Sequence, residues 1–303
     1  MGCGSSKTAE VPKPKTGKYF YPECSFTYEA DYPISSLAPY DSTHVLFGTK
    51  GDISLLDIKS KSPSKTFKEH KGRVNCLKRL SNGNYVSAGQ DKEIKLWDLS
   101  KETSLETLTG HTSMIWCIQE LNDGRLASGA DDKKLIIWDL KEKKQDCVLD
   151  EEKSEISALL QLKDGKLLSG YGSGKFKVWD LGNKKVIEEF ECGFGVWFFL
   201  ELSDGKIAIG IGNGEIQIWD IKEGKCEKKL TGGHSQPINA LIEIESGVIV
   251  SASDEKDMIM WNLDDVDSKY VLKGHNGPIT GLVKIGERKF ASSSKDMSVK
   301  IWQ

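Results

Sequence analysis

Ile94-Lys95-Leu96-Trp97-Asp98 is the stretch that decides the fold, because its Trp-Asp end recurs along the chain at a nearly fixed interval. Successive recurrences are separated by 41, 41, 41, 40, 42 and 41 residues. Six of the eight tryptophans belong to this single register, so the pattern indicates seven copies of one structural unit. The copies end at Leu56-Asp57, Trp97-Asp98, Trp138-Asp139, Trp179-Asp180, Trp219-Asp220, Trp261-Asn262 and Trp302-Gln303.

Three further residue types recur in step with the tryptophan. Four units carry a histidine 27 positions before it, five carry a serine ten positions before it, and four carry an acid six positions before it. The histidines are His70, His111, His234 and His275, the serines are Ser87, Ser128, Ser169, Ser251 and Ser292, and the acids are Asp91, Asp132, Glu255 and Asp296.

This register resembles the Trp-Asp (WD) repeat β-propeller family, with repeats like those of G-protein β subunits, from about Tyr19 to the last residue. The resemblance implies that these side chains form one hydrogen-bonded network in each complete blade. The chemistry is consistent, because a buried imidazole needs partners on both nitrogens and an indole N–H needs an acceptor. The expected networks are His70-Ser87-Asp91-Trp97, His111-Ser128-Asp132-Trp138, His234-Ser251-Trp261 and His275-Ser292-Asp296-Trp302.

Three units depart from the full register. Leu56 replaces the tryptophan in unit 1, and Ile209 replaces the serine in unit 5. Lys50, Ser173 and Asn213 stand in the place of the acid in units 1, 4 and 5. Because each change removes a donor or an acceptor from the network, we expect these three blades to be held together less firmly.

Unit 2 shows the local pattern most clearly. Residues 74–80, 85–88 and 94–97 are short apolar runs, and the turns 81–84 and 90–92 separate them. Such runs with Asn-Gly or Asp-Gly turns predict β-hairpins. The connections are too short for crossover helices, so the strands should be antiparallel. The sequence therefore predicts an all-β fold, a seven-bladed β-propeller of four-stranded antiparallel blades around a central channel.

The last unit needs a strand from elsewhere in the chain. The sequence ends one residue after Trp302, where the other units continue into an outer strand. Residues 24–28 precede the first unit and have the composition of a spare strand. We therefore expect this N-terminal strand to complete the last blade and close the ring, within a propeller domain of residues 19–303.

Composition argues against several classes of protein. The net charge of −3 gives no basic surface for nucleic acid. Seven cysteines without a CxxC pair, and no secretory apolar region, suit a reducing compartment. No apolar run approaches the length of a membrane span. We therefore expect a cytoplasmic location and no cofactor.

The first seven residues match the N-myristoylation pattern, with Gly2 as the acceptor once Met1 is removed and Ser6 in the required place. Cys3 beside it resembles the dual-acylation start of membrane-tethered signalling proteins, and palmitate there would be the second chain that stable anchoring needs. The alternative is an unmodified Gly/Ser tail. We expect residues 1–18 to be a disordered, lipidated tail that holds the protein at the cytosolic face of a membrane.

Two features resemble ligand-binding sites, one for phosphate and one for a metal, but both have a structural interpretation. Residues 170–175 and 210–214 are glycine-rich like phosphate-binding loops, yet both fall in a tight turn before a tryptophan and neither leads into a helix. Four of the five histidines occupy equivalent places on different blades, so they cannot converge on a metal, and His44 is isolated. We expect no metal site, no catalytic residue and no small-molecule substrate.

The resemblance places partner binding on the narrower face around the channel. Trp116 and Trp197, the two tryptophans outside the blade register, occupy the same place two blades apart. Exposed tryptophan and arginine are the usual hot spots of protein interfaces. Alternatively, these indoles pack between blades or fill the channel. The expected partner-binding residues are Trp116, Trp197, Arg73, Met114, Gln90, Asp131, Tyr171, Asp254 and Lys295.

The leading hypothesis for function is a non-catalytic scaffold or adaptor that binds a protein or peptide partner at a membrane. The alternative is a soluble WD-repeat subunit of a larger assembly, such as the substrate receptor of a ubiquitin ligase. A G-protein β subunit is disfavoured, because such subunits carry a long N-terminal helix whereas this chain has only about 18 residues, with Pro12 and Pro14, before its first strand. A catalytic function ranks last.

Overall fold

The computed structural model describes residues 21–101, 103–149 and 153–303, which form 28 β-strands and no helix. The strands form seven four-stranded antiparallel sheets, one for each blade, which confirms the predicted all-β, seven-bladed propeller. No helix long and apolar enough to cross a membrane occurs in these three ranges. The expected lipidated tail, with Gly2 and Cys3, lies outside the described residues.

Each blade is built from strands in chain order from the channel outward, except that β1 joins the last blade. Blade 1 is β2 (Ser36–Pro39), β3 (His44–Gly48), β4 (Asp52–Asp57) and β5 (Ser62–Lys68). Blade 2 is β6 (Val74–Arg79), β7 (Tyr85–Gly89), β8 (Ile94–Trp97) and β9 (Glu106–Leu108). Blade 3 is β10 (Ile115–Glu120), β11 (Leu126–Ala130), β12 (Leu135–Asp139) and β13 (Lys144–Leu149). Blade 4 is β14 (Ile156–Gln161), β15 (Leu167–Tyr171), β16 (Lys175–Asp180) and β17 (Lys185–Glu191).

The remaining three blades follow the same plan. Blade 5 is β18 (Val196–Glu201), β19 (Ile207–Ile211), β20 (Ile216–Asp220) and β21 (Lys225–Leu230). Blade 6 is β22 (Ile238–Glu245), β23 (Val248–Ser253), β24 (Met258–Asn262) and β25 (Asp265–Leu272). Blade 7 is β26 (Ile279–Gly286), β27 (Lys289–Ser294), β28 (Ser298–Trp302) and the N-terminal strand β1 (Cys24–Glu29).

The ring closes through the N-terminal strand, as the sequence predicts. Strand β1 pairs antiparallel with β28, from Cys24 opposite Trp302 to Glu29 opposite Ser298. Just before it, the backbone of Glu23 exchanges two hydrogen bonds with Gln303, at 3.0 and 3.1 Å. The outermost strand of blade 7 therefore comes from the opposite end of the chain, which ties the two ends together.

Two kinds of connection lie on one face of the ring, which we call the mouth face. They are the loops that enter each innermost strand and the tight turns between the second and third strands, such as residues 90–93 in blade 2. The opposite face carries the other turns, such as residues 80–84. Because neighbouring strands are antiparallel, β6 runs from the mouth face at Val74 to the opposite face at Arg79.

The hydrophobic cores lie between neighbouring blades. One cluster joins Val86 of blade 2 to Ile118 and Trp138 of blade 3, and another joins Phe176 of blade 4 to Trp219 of blade 5. A buried aromatic side chain removes about 150–250 Å² from water, so the tryptophans contribute strongly to the contact between blades. The almost completely buried ones are Trp97, Trp138, Trp179, Trp261 and Trp302.

Four blades contain the hydrogen-bonded network that the resemblance implies. In blade 2, Ser87 Oγ accepts the indole N–H of Trp97 at 2.8 Å and lies 2.6 Å from Nε2 of His70. Nδ1 of His70 lies 2.7 Å from the Asp91 carboxylate. The same contacts occur in blade 3 with His111, Ser128, Asp132 and Trp138, in blade 6 with His234, Ser251, Glu255 and Trp261, and in blade 7 with His275, Ser292, Asp296 and Trp302.

Blades 4 and 5 use other side chains where the register is incomplete. In blade 4, Ser169 Oγ accepts the indole N–H of Trp179 at 2.7 Å and donates to the Tyr171 hydroxyl at 2.9 Å. In blade 5, the Trp219 indole donates to Oε1 of Gln217 at 2.9 Å. Neither buried indole is therefore left without an acceptor, although both blades lack the histidine.

Candidate partner-binding site at the channel mouth

One residue near the start of each innermost strand faces the channel, and together these residues form what we call the channel ring. On the mouth face the ring borders a cavity of about 350 Å³, the mouth cavity. Beneath it lies a second cavity of about 430 Å³, the lower chamber, which the same seven residues also border. The channel ring consists of Ser35, Asn75, Trp116, Ser157, Trp197, Asn239 and Thr280.

Five channel-ring side chains bind the neighbouring blade. Each donates a hydrogen bond to the backbone carbonyl at the position just before the ring residue of the next blade. The pairs are Asn75 to Ile115 and Asn239 to Ile279 at 2.9 Å, Ser35 to Val74 at 2.7 Å, Thr280 to Ile34 at 2.9 Å, and Ser157 to Val196. These five residues therefore hold the ring together from inside the channel.

The two other ring residues, Trp116 and Trp197, meet across the channel. Their ring centroids are 6.3 Å apart and their planes cross at 88°, an edge-to-face contact. The Trp116 indole donates to the Asp131 carboxylate. The Trp197 indole donates to none of the described residues. It packs against Gly195 and Gly212, where a side-chain Cβ would lie only 3.4 and 3.3 Å from the indole nitrogen. Both indoles are partly exposed, so they narrow the channel and also border the mouth cavity.

Arg73 extends this aromatic pair on the mouth face. Its guanidinium carbon lies 5.7 Å from the centre of a Trp116 ring, within the range of a cation–π contact. Its Nε donates to Oδ1 of Asn75 at 2.8 Å, so the residue that binds blade 3 also positions the arginine. An arginine beside a partly exposed tryptophan is the composition typical of interface hot spots.

The blades on the other side of the mouth cavity carry an ion pair. Nζ of Lys295 lies 3.1 Å from the Asp254 carboxylate, which also accepts a hydrogen bond from Asn239 at 3.1 Å. Gln90 is exposed and Met114 is partly exposed on the mouth face. The mouth cavity is thus bordered by aromatic, cationic and anionic side chains from several blades.

Tyr171 does not belong to this surface. Its side chain is only 1% exposed and lies in the hydrophobic cluster between blades 3 and 4. Its hydroxyl makes the contact with Ser169 that a histidine makes with the serine of a complete blade. The expectation that Tyr171 contacts a partner is therefore corrected, because blade 4 uses this side chain in its interior.

The complete networks contain serine, histidine and carboxylate in the order of a catalytic triad, but their serines are inaccessible. Ser87 is 0% exposed and its hydroxyl is already bound by Trp97. A nucleophile must reach its substrate, so this arrangement serves packing. The glycine-rich stretches 170–175 and 210–214 form hairpin turns between antiparallel strands. No group of three or more possible metal ligands comes together in the part of the chain that the structure describes.

Sequence reasoning overlooked Ser35, the channel-ring residue of blade 1. The other six ring residues lie 22 positions before the register tryptophan of their unit, whereas Ser35 lies 21 positions before Leu56, which replaces that tryptophan in unit 1. The shift by one residue, together with the missing tryptophan, hides the equivalence. An alignment of the units that allows one deletion would have revealed it.

The fold and the repeats define a class of protein, a β-propeller in which Trp-Asp or a variant of it stands at the end of the third strand of each blade. The family model described as "WD domain, G-beta repeat" matches residues 61–98, 102–139 and 267–303, and each match ends on one of the recurring dipeptides. The chain therefore contains WD40 repeats at three positions, within a propeller of seven blades. A comparison with curated proteins finds no match to this chain.

Proposed function

We propose that this protein is a non-catalytic scaffold that binds a protein or peptide partner over its mouth cavity. WD40 propellers generally act in this way, and their fold by itself does not specify the partner. The observation that carries the proposal is the group formed by Arg73, Trp116 and Trp197, because these are the side chains that most often dominate binding energy at interfaces.

The second part of the proposal is that acylation at Gly2 and Cys3 holds the scaffold at the cytosolic face of a membrane. Support comes from the sequence pattern, in which the myristoylation site and an adjacent cysteine provide the two chains that stable anchoring needs. The described chain begins at the edge of blade 7 on the face opposite the mouth, where Glu23 pairs with Gln303. This point of attachment lies away from the mouth face, which supports access of a cytosolic partner to that face.

Proximity labelling of cells that express wild type, Trp116→Ala and Trp197→Ala tests the first part. Truncation of a hot spot costs about 2 kcal/mol or more of binding energy, so both variants should lose the same labelled proteins. Ile187→Ala is the matched control, because Ile187 is exposed on the outermost strand of blade 4, away from the channel. The melting temperatures should stay within a few degrees of wild type. Unchanged labelling, or loss of folding in either tryptophan variant, would favour a purely structural role for the indoles.

Labelling with alkyne-myristate tests the second part. Wild type should incorporate the label and sediment with membranes, and Gly2→Ala should do neither, while Cys3→Ser should keep the label but dissociate more readily because one chain binds only marginally. An unlabelled, fully soluble wild type would instead support the soluble subunit of a larger assembly.

A further inference from the structure

The lower chamber differs from the mouth cavity in chemistry as well as in position. It begins beneath the channel ring and extends along the innermost strands toward Pro39 and Arg79 on the opposite face. Leu160, Phe198 and Val283, from blades 4, 5 and 7, are only partly buried and border the chamber. A volume of about 430 Å³ falls within the range of about 300–1,000 Å³ that is typical of small-ligand sites.

The charge in the lower chamber is of one sign. Lys78 and Arg79 are the charged residues among the described side chains that border it, and both are cationic. Nζ of Lys78 donates to the neutral Oε1 of Gln119 at 2.6 Å, and no carboxylate of the described residues lies within ion-pair distance of it. Arg79 donates to the backbone carbonyl of Tyr40 at 3.2 Å.

The thiols of Cys76 and Cys117, beside Lys78, do not provide a negative charge to pair with its ammonium. Burial raises the pKa of Cys76 to about 12 and that of Cys117 well above its usual value, so both are neutral at physiological pH. Burial also lowers the pKa of Lys78, and the attraction of the more distant Glu120 carboxylate only partly opposes this shift. An ammonium in such a place binds an anion more strongly than one in water.

We propose that the lower chamber binds an anionic amphiphile, a carboxylate with an unbranched aliphatic chain. The carboxylate pairs with the Lys78 ammonium, and the aliphatic chain lies against Leu160, Phe198 and Val283. This ligand matches both the cationic group and the apolar wall of the chamber. An uncharged aliphatic chain would give the Lys78 ammonium no counter-ion, and a small inorganic anion would leave the apolar wall in contact with water. The chamber shares the channel-ring residues with the mouth cavity, but Lys78 and the apolar wall lie beneath that ring and border the lower chamber alone. The proposal does not depend on the proposed scaffold function.

Isothermal titration calorimetry with decanoate and with decanol tests this proposal. The protein is the full-length Gly2→Ala chain, which carries no N-terminal acyl group that could compete for the chamber. Decanoate should bind at one site, and decanol should bind at least tenfold more weakly. Lys78→Met keeps the length of the side chain without the charge, and it should weaken decanoate binding about tenfold, or about 1.4 kcal/mol, while leaving decanol unchanged.

Lys284→Met is the matched control. Nζ of Lys284 donates to the backbone carbonyl of Ile244 at 2.9 Å, and its side chain does not border the chamber. This variant should bind decanoate as wild type does. Absence of decanoate binding, equal affinity for decanoate and decanol, or an equal loss in Lys78→Met and Lys284→Met would each overturn the proposal. Melting temperatures of both variants show whether the fold is intact.

Discussion

The serine hydroxyl at the centre of each complete network makes two hydrogen bonds of opposite sense. In blade 3, Ser128 Oγ accepts from the Trp138 indole at 2.8 Å and lies 2.7 Å from Nε2 of His111. The Asp132 carboxylate can only accept, so Nδ1 of His111 carries the proton and donates to it, and Nε2 of the neutral imidazole then accepts the Ser128 hydroxyl proton. The carboxylate thus sets the tautomer of the histidine, and that tautomer sets the direction of the bond from the serine.

Ser128→Ala should therefore destabilise the protein by about 1–3 kcal/mol, because it leaves the Trp138 N–H and the His111 Nε2 buried without a partner. Ser54→Ala in blade 1 is the control. Ser54 is also buried, but its hydroxyl contacts only the exposed Thr66, at 2.9 Å, which can bond to water instead. Urea denaturation should show a clear loss for Ser128→Ala and a change within about 0.5 kcal/mol for Ser54→Ala. Equal losses would show that the network adds nothing beyond the packing of a small side chain.

The residues that complete blades 4 and 5 could not be predicted from the register. Tyr171 and Gln217 stand two residues from the position that the register assigns to the serine or to the tryptophan. Their side chains reach Ser169 and Trp219 because residues two positions apart on one strand point to the same face of the sheet. The spacing of a repeat shows which residue is missing, but only the packing of the interior shows which other side chain takes its place.

Strands were more predictable than side-chain partners. In blade 2 the expected runs 85–88 and 94–97 correspond to Tyr85–Gly89 and Ile94–Trp97. Alternation and turn residues are local signals, so these boundaries follow directly from the sequence. The outermost strands were harder to predict, and β9 of the same blade has only three residues, Glu106–Leu108. Such strands pack on one side only, so their sequences carry a weaker pattern.

Strand β1 should be essential for closing the ring. Deletion of residues 1–28 removes most of β1 and leaves β28, with Lys300 and Val299, as an unpaired edge. An exposed edge strand pairs with other chains, so the product should aggregate. Deletion of residues 2–18 is the control, because it retains every residue of β1. Size-exclusion chromatography with light scattering should give a monomer for the shorter deletion and aggregates for the longer one. A soluble, cooperatively melting monomer without residues 1–28 would show that the other six blades hold blade 7 in place.

At the scale of the whole molecule, the number of blades and their closure follow from the sequence, but the shape of the channel does not. The register places Trp116 and Trp197 at equivalent positions in blades 3 and 5. Whether two such indoles touch depends on the width of the channel and on the side chains between them. The contact at 6.3 Å and the single sign of charge in the lining of the lower chamber appear only when seven blades surround one axis.

The four networks together should make the stability of the ring depend on pH. Burial lowers the pKa of His111, His234 and His275 below the usual value of histidine. Burial alone would raise the pKa of Asp296, but hydrogen bonds from Ser298, from the backbone of residue 276 and from His275 hold it at about 2. In each case the folded state binds fewer protons than the unfolded chain, so the free energy of unfolding falls as the pH falls.

The histidines and the carboxylates should act in separate pH windows. Stability from the neutral histidines is fully present above the ordinary histidine pKa of about 6.5 and is lost below it, whereas stability from the carboxylates is lost only below about pH 4. The melting temperature should therefore fall by several degrees between pH 7.5 and pH 5, measured by differential scanning calorimetry. His275→Gln should have a lower melting temperature than wild type at pH 7.5. Its melting temperature should fall less steeply as the pH falls, because one buried imidazole no longer has to gain a proton. His44→Gln, which changes a side chain outside the networks that is 27% exposed, should keep the wild-type slope. A melting temperature that is flat from pH 7.5 to pH 5 would mean that the networks accept protons without loss, as ion pairs of imidazolium and carboxylate.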